Sequence, residues 1–141
     1  MLDCRPDADA VNQTTSRFLW ICLGGAFGTG ARYLISGWAL LILGTAFPWG
    51  TLAVNVLGSF FLSAIMQAAL TSNLIAPTLR LALTTGVLGG FTTYSTFNYE
   101  TLAYLREGAW WMGLVNLLVT VVLCLGAGVA GIAAARWAVG G

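Results

Sequence analysis

The apolar positions of the chain form long segments separated by short polar connections. The first segment, residues 18–43, is interrupted only by Arg32, and the second, residues 51–70, carries no charge over 20 residues. Twenty apolar residues in a helix cross a hydrocarbon core of about 30 Å. The last segment, residues 109–139, has tryptophans near both ends, where this side chain favours the membrane interface. Together with a third, shorter segment after Pro77, the pattern predicts an all-α membrane protein with four transmembrane helices.

The third segment is too short to cross a membrane in one piece. Residues 78–90 are 13 residues, which as a helix reach only about 20 Å at 1.5 Å per residue. The stretch 89–97 that follows is rich in glycine, β-branched and hydroxyl residues, and a second helical piece then extends to about Leu105. Irregular backbone at membrane depth requires protein, ions or water to satisfy its polar groups. The sequence therefore predicts one broken helix.

Two rows of polar residues recur every four positions, which keeps their side chains near one helix face. The rows are Thr51, Asn55, Ser59, Ser63 and Gln67 on the second helix, and Asn116, Thr120 and Cys124 on the fourth. Such a row either bonds helices together, at about 0.6 kcal/mol per hydrogen bond, or lines a wet path. Arg32 favours the wet path, because a charge within a span is costly in lipid and usually faces a cavity.

The composition excludes a soluble domain and several kinds of active site. Of the 141 residues, 8% are charged and 58% are hydrophobic, against about 25% and 45–50% in ordinary globular domains. A net charge of +1 gives no basic surface for nucleic acid. The absence of histidine removes Ser–His and Cys–His catalysis and most zinc sites. The widely spaced cysteines Cys4, Cys22 and Cys124 are interpreted as small apolar residues.

The N-terminal residues differ from the rest of the chain. Residues 1–16 are polar and lack the basic-then-apolar order of a signal peptide. The sequence therefore predicts a disordered tail over residues 1–16 and one membrane domain over residues 17–141.

Three stretches, taken in order, resemble the Fluc fluoride channels, which are also called CrcB-type proteins. They are Gly24-Gly25 with Gly28 and Arg32-Tyr33, Gly50-Thr51-Leu52-Ala53-Val54-Asn55 with Gly58-Ser59-Phe60, and Gly86 through Phe97. The Gly-Gly-Phe-Thr-Thr-x-Ser-Thr-Phe part is the most specific of these. The resemblance extends over about residues 18–139.

The resemblance implies an antiparallel, dual-topology homodimer of four-helix subunits in the bacterial inner membrane, with two narrow fluoride pores. It also implies passive export of fluoride and a structural sodium ion at the dimer centre, held by the backbone carbonyls of Gly89 and Thr92. By the same resemblance, Arg32 is expected to be the charged residue in the vestibule, the wider entrance to the pore. The fluoride pathway carried over by position consists of Asn55, Tyr94, Ser95, Thr96, Phe97, Asn116 and Thr120. Amide and hydroxyl donors suit a small, strongly hydrated anion, and Phe97 would offer the positive edge of its ring.

Some positions depart from the family pattern, and two other functions remain open. The family usually has Phe where this chain has Tyr94, and Tyr and Ser where it has Asn116 and Thr120. A small proton-coupled multidrug exporter would need a carboxylate within the membrane, for which Glu100 is the only candidate. Small residues recur every four positions at Gly24 and Gly28 and at Ala127, Gly131 and Ala135, a pattern that lets helices pack closely. A membrane assembly subunit without transport would explain these rows of small residues but not a broken helix.

Overall fold

The computed structural model describes residues 8–72 and 75–140, with side chains over residues 11–72 and 75–139. Every regular element in these ranges is a helix, which confirms the all-α prediction. The elements are α1 (Ala8–Leu43), α2 (Trp49–Thr71), α3 (Pro77–Leu81), a π-helix (Ala82–Leu88), α4 (Gly89–Phe91), α5 (Tyr94–Arg106) and α6 (Trp110–Gly140). Three of them, α1, α2 and α6, are long and apolar enough to cross a membrane, so the chain is a multi-pass membrane protein.

The first helix begins earlier than the sequence predicted. Residues 1–7 of the expected tail lie outside the described residues, but residues 8–16 are the first turns of α1. Once a helix is nucleated, each added residue gains a hydrogen bond at little cost, so the apolar helix extends into this polar stretch. The side chain of Thr15 donates to the carbonyl of Val11 at 2.9 Å, which fits this helical path.

Exposed tryptophans lie along α1 at a spacing that suits the two membrane interfaces. Trp20 and Trp38 are both more than half exposed and lie 18 residues apart. That separation corresponds to about 27 Å of helix, close to the thickness of a hydrocarbon core. Exposed tryptophans also lie at the start of α6, at Trp110 and Trp111, and near its end, at Trp137. These positions match the aromatic belts of a membrane protein.

The third segment is interrupted where the sequence predicted a break. Thr92 and Thr93 have extended backbone conformations, with φ −82°, ψ 157° and φ −150°, ψ 108°, and they separate α4 from α5. The π-helix before the break was not predicted. Its wider turn has no sequence signature as direct as the glycine and hydroxyl content of the break itself.

Close backbone contact joins α1 to the third segment. A Cβ on Gly24 would lie 2.6 Å from the carbonyl oxygen of Ala82, and one on Gly28 would overlap the carbonyl group of Val87. A Cβ on Gly90 would lie 2.5 Å from the carbonyl oxygen of Gly25. These glycines let two helix backbones touch without intervening side chains. Beside this contact, Val54 of α2 packs with Leu88 and Phe91 in a small buried core.

Candidate functional site

The break in the third segment is held by one buried amide side chain on α2. The Nδ2 of Asn55 donates to the carbonyl of Thr93 at 3.0 Å, and the backbone N–H of Thr93 donates to the Oδ1 of Asn55 at 2.7 Å. Both residues are buried. Because the break leaves backbone groups without helical partners, this pair of hydrogen bonds satisfies groups whose burial would otherwise be costly.

Thr93 also caps the helix that follows. Its hydroxyl oxygen accepts a hydrogen bond from the backbone N–H of Thr96 at 3.2 Å, as an N-cap side chain commonly does. The same hydroxyl donates to the hydroxyl oxygen of Thr96 at 2.9 Å and lies 3.3 Å from that of Ser95. Thr93 was not among the predicted site residues. The β-branched hydroxyl residue before a helix start was the signal that could have identified it.

An open groove of about 300 Å³ lies beside the break, between α2, α5 and α6, and is termed the central groove. Four of the predicted pathway residues line it, namely Asn55, Tyr94, Phe97 and Thr120. Its other lining residues are Gly58, Ser59, Leu62, Thr92, Val121 and Cys124. No carboxylate is found among the described residues of this lining.

The two aromatic side chains of the groove differ in exposure. Phe97 is buried, whereas Tyr94 is 77% exposed in the single chain. Their ring centroids lie 5.8 Å apart with the planes tilted by 58°. Tilted rings present edges as well as faces, and an aromatic edge carries partial positive charge. The pair can therefore offer edge hydrogens to an anion in the groove.

The remaining predicted pathway residues lie elsewhere. Ser95 and Thr96 are exposed in the first turn of α5, in contact with Thr93 rather than in the groove lining. Asn116 is 1% exposed and its Nδ2 donates to the hydroxyl of Thr101 at 2.8 Å, so it joins α6 to α5. The half-buried Arg32 does not line the groove either.

The groove continues along α2 and α6 into a second cavity of about 380 Å³, and the two share Ser59, Leu62 and Cys124. Ser59 and Cys124 thus lie on facing helices where the two cavities meet. Ser63 lines the second cavity. Asn55, Ser59 and Ser63 of α2 and Thr120 and Cys124 of α6 thus line these two cavities, although the sequence prediction of the pathway stopped at Thr120.

A separate polar contact lies at the opposite end of α2. The hydroxyl of Thr51 donates to the Oε1 of Glu100 at 2.7 Å, at a cavity of about 400 Å³ near the connection between α1 and α2. Glu100 is therefore engaged with α2 and does not line the central groove.

Comparison with known proteins identifies the chain's family. The family model described as "CrcB-like protein, Camphor Resistance (CrcB)" matches residues 19–132, which include the break, the central groove and the glycine contact. The chain belongs to the CrcB family. The resemblance drawn from the three sequence stretches is thereby confirmed.

Curated relatives of this CrcB-family chain carry one functional name, fluoride-specific ion channel FluC. The protein of Sorangium cellulosum (strain So ce56) is 54% identical over 125 residues, which cover 89% of this chain and 98% of that protein. The protein of Anaeromyxobacter sp. (strain K) is 55% identical, covering 89% and 99%. The protein of Geobacter sulfurreducens is 52% identical over 118 residues, covering 84% and 95%. The family is one of ion channels, not enzymes, and the multidrug-exporter alternative is set aside.

Proposed function

We propose that this protein is a fluoride-selective channel that exports the anion passively from the cytoplasm. One observation carries the proposal: the central groove brings Asn55, Phe97 and Thr120 together on one open face of the subunit. These side chains come from three different helices, and the proposed pathway needs all three. The names of the relatives, fluoride-specific ion channels, support the choice of anion.

The chemistry of the groove suits a small anion. Fluoride is strongly hydrated, so a narrow pore must replace its water with hydrogen-bond donors. The hydroxyls of Ser59 and Thr120 are available as donors, and one N–H of the Asn55 amide remains after the other has bonded Thr93. The ring edge of Phe97 adds a weak positive contact. Selectivity over chloride follows from the spacing of these donors in a narrow passage, as in other ion filters.

The groove is open on one side, and a second copy of the chain would close it. We propose an antiparallel homodimer in which each subunit crosses the membrane four times, the third time through α3, the π-helix, α4 and α5. Two grooves per dimer give two pores. Leaving the exposed Tyr94 and the polar lining toward lipid would be costly, which supports association.

A structural sodium ion fits the freed backbone at the break. In a continuous helix, the carbonyl of Gly89 would accept from the N–H of Thr93 and that of Thr92 from the N–H of Thr96. Those donors are bonded to Asn55 and to the Thr93 hydroxyl instead. Carbonyl oxygens suit a hard cation, and no cluster of three His, Cys, Asp or Glu ligands exists among the described residues. Gly89 and Thr92 would therefore hold the ion at the dimer centre.

Export needs no energy source other than the membrane potential. Neutral HF enters a cell from acidic surroundings, dissociates in the cytoplasm and is trapped as fluoride. A membrane potential that is negative inside favours anion exit by about 2.3 kcal/mol per charge per 100 mV. An open, selective pore in the bacterial inner membrane is then sufficient for resistance.

Fluoride efflux from liposomes containing the purified protein tests the proposal. Liposomes loaded with fluoride should release it after a potassium ionophore dissipates the opposing voltage, whereas chloride-loaded liposomes should retain their anion. Protein-free liposomes provide the control. Equal release of chloride, or no release of fluoride above the control, would contradict the proposed function.

The orientation of the subunits is tested by labelling from each side of the membrane. Arg17, Arg80 and Arg136 lie toward one end of the bundle and Arg106 toward the other, whereas Arg5, also expected on the first side, lies outside the described residues. Because these four described arginines lie within helices and not in connecting loops, the bias that orients the chain is small. Both orientations should therefore coexist. A single cysteine placed at the C-terminus should react with impermeant reagents from both sides, and labelling from one side alone would contradict dual topology.

A further inference from the structure

We infer that Asn55 is a positioning residue for the sodium site, in addition to lining the proposed fluoride path. The inference rests on the proposed function, since it concerns the ion expected at the break. The Oδ1 of Asn55 accepts the hydrogen bond that the Thr93 N–H would donate to the Gly89 carbonyl in a continuous helix. The Gly89 carbonyl can therefore bind the cation.

At Thr93, a hydrogen bond to Asn55 replaces the helical one. The N–H of Thr93 is four residues beyond Gly89, so it is the donor that a continuous helix would give to the Gly89 carbonyl. In this structure it donates to Asn55 at 2.7 Å. The bond crosses between two segments 38 residues apart, so α2 determines the path of the third segment.

A reciprocal hydrogen bond to Thr93 orients the Asn55 amide. The Nδ2 of Asn55 donates to the Thr93 carbonyl at 3.0 Å, so both polar ends of the side chain bind the same residue. An amide provides this donor and acceptor side by side, whereas a carboxylate keeps only the acceptor and an aliphatic side chain has neither. Both partners are buried, and the loss of either bond would leave a buried polar group unsatisfied.

Asn55 connects the expected sodium site with the central groove. Asn55 lines the central groove together with Thr92, whose carbonyl is the second expected sodium ligand. One side chain therefore contacts the proposed fluoride path and also maintains the backbone break beside it. Sodium binding and conduction are then separable by variants that keep only one function of position 55.

The test measures sodium-dependent stability, which does not depend on conduction. Thermal unfolding of the purified full-length protein in detergent is followed by tryptophan fluorescence in NaCl and in KCl at constant ionic strength. A ligand that binds only the folded state raises Tm with concentration. Asn55→Leu removes the acceptor, so the sodium concentration for half-maximal stabilisation should rise about tenfold or more, as expected for about 1.4 kcal/mol.

Asn55→Asp separates the two functions of this position. A carboxylate still accepts from the Thr93 N–H, so the sodium response should stay within about threefold of that of the parent protein, well below the tenfold that about 1.4 kcal/mol produces. Fluoride efflux should nevertheless be lost, because the added negative charge repels the anion. Gln67→Leu is the matched control, since it removes an amide from the same helix whose Nε2 bonds only Thr71.

Each outcome decides the inference. A parent protein without any sodium-dependent rise in Tm would remove the sodium site itself, independently of Asn55. A normal sodium response in Asn55→Leu, with a response present in the parent, would overturn the positioning role and leave the channel proposal intact. Should Asn55→Leu fail to fold, Asn55→Ser replaces it, because its hydroxyl is too short to reach the Thr93 N–H and the response should weaken likewise.

Discussion

Two helix contacts in this molecule differ in how closely the helices approach along their length. Along the contact of α1 with the third segment, Gly24 and Gly28 bring backbone against backbone, and Cβ atoms there would collide with the carbonyls of Ala82 and Val87. Along the contact of α2 with α6, a comparably close approach occurs at Gly131, against the carbonyl of Phe60. Further along, the same pair of helices is separated by the central groove.

The difference shows that polar side chains between helices line a groove, whereas glycines allow direct backbone contact. At Gly24, Gly28 and Gly131 backbone lies against backbone, and none of these glycines lines the central groove. Where Asn55 and Thr120 line the space between the helices, a donor-lined groove of about 300 Å³ remains. We call the glycine-mediated contact of α1 with the third segment the closed contact, and the groove-lined contact of α2 with α6 the open contact. The closed contact should control stability, and the open contact should control conduction.

The largest expected effect is on the closed contact, from Gly28→Val. The new Cβ would overlap the Val87 carbonyl, and a β-branched side chain has no rotamer that avoids the neighbouring backbone. We expect destabilisation of about 3 kcal/mol or more, with loss of assembled protein. Thermal unfolding and size-exclusion chromatography in detergent measure it.

Gly30→Val is the matched control on the same helix. Nothing lies within 4 Å of a Cβ at Gly30, which is exposed. Valine there should have little effect, because its helix propensity is no worse than that of glycine. Equal damage by the two variants would show that α1 tolerates no added side chain and that contact with Val87 is not the cause.

The open contact is tested next by Phe97→Ile. Isoleucine keeps an apolar side chain of similar size but lacks a positive ring edge. Fluoride efflux should fall at least about tenfold, the effect of about 1.4 kcal/mol on a rate, while the dimer elutes unchanged. If Phe97 only packs, the variant should instead lose assembly. A well-assembled variant with normal efflux would remove Phe97 from the pathway.

The fold was predictable from the sequence because its signals are local. Apolar segment length gave three of the helices, and a glycine- and hydroxyl-rich stretch within a short segment gave the break at Thr92 and Thr93. The start of α1 at Ala8 was missed because helix propagation from an apolar neighbour overrides a polar composition. The π-helix was missed because its register depends on packing against α1.

The site was predictable only in part, because periodicity gives a helix face but not its neighbour. Asn116 and Thr120 belong to one row, yet Asn116 bonds Thr101 of α5 while Thr120 lines the groove. The pair of hydrogen bonds by which Asn55 holds the break depends on Thr93, 38 positions away. No spacing rule within one helix contains that partner.

A smaller effect is expected from modifying Cys124, which tests how far the pathway follows the groove. In a Cys4→Ser, Cys22→Ser background, methyl methanethiosulfonate adds a small group to the remaining thiol. Efflux should fall about threefold, a barrier increase of about 0.7 kcal/mol, since Cys124 lines both the central groove and the second cavity. The Cys124→Ser variant should be insensitive. An unaffected efflux rate after complete modification would end the pathway before this residue.

The smallest effect on ion binding should come from Thr92→Ala, which tests the sodium ligand atom. The Thr92 hydroxyl donates to the Leu88 carbonyl at 2.9 Å and its methyl packs against Gly58, so about 1 kcal/mol of stability is at stake. The sodium-dependent rise in Tm should be unchanged, because the expected ligand is the backbone carbonyl. Thr92→Pro removes the N–H that donates to Leu88 at 3.0 Å and constrains Phe91, so it should lose both the sodium response and assembly. Loss of the sodium response in Thr92→Ala alone would make the hydroxyl the ligand and refute the carbonyl assignment.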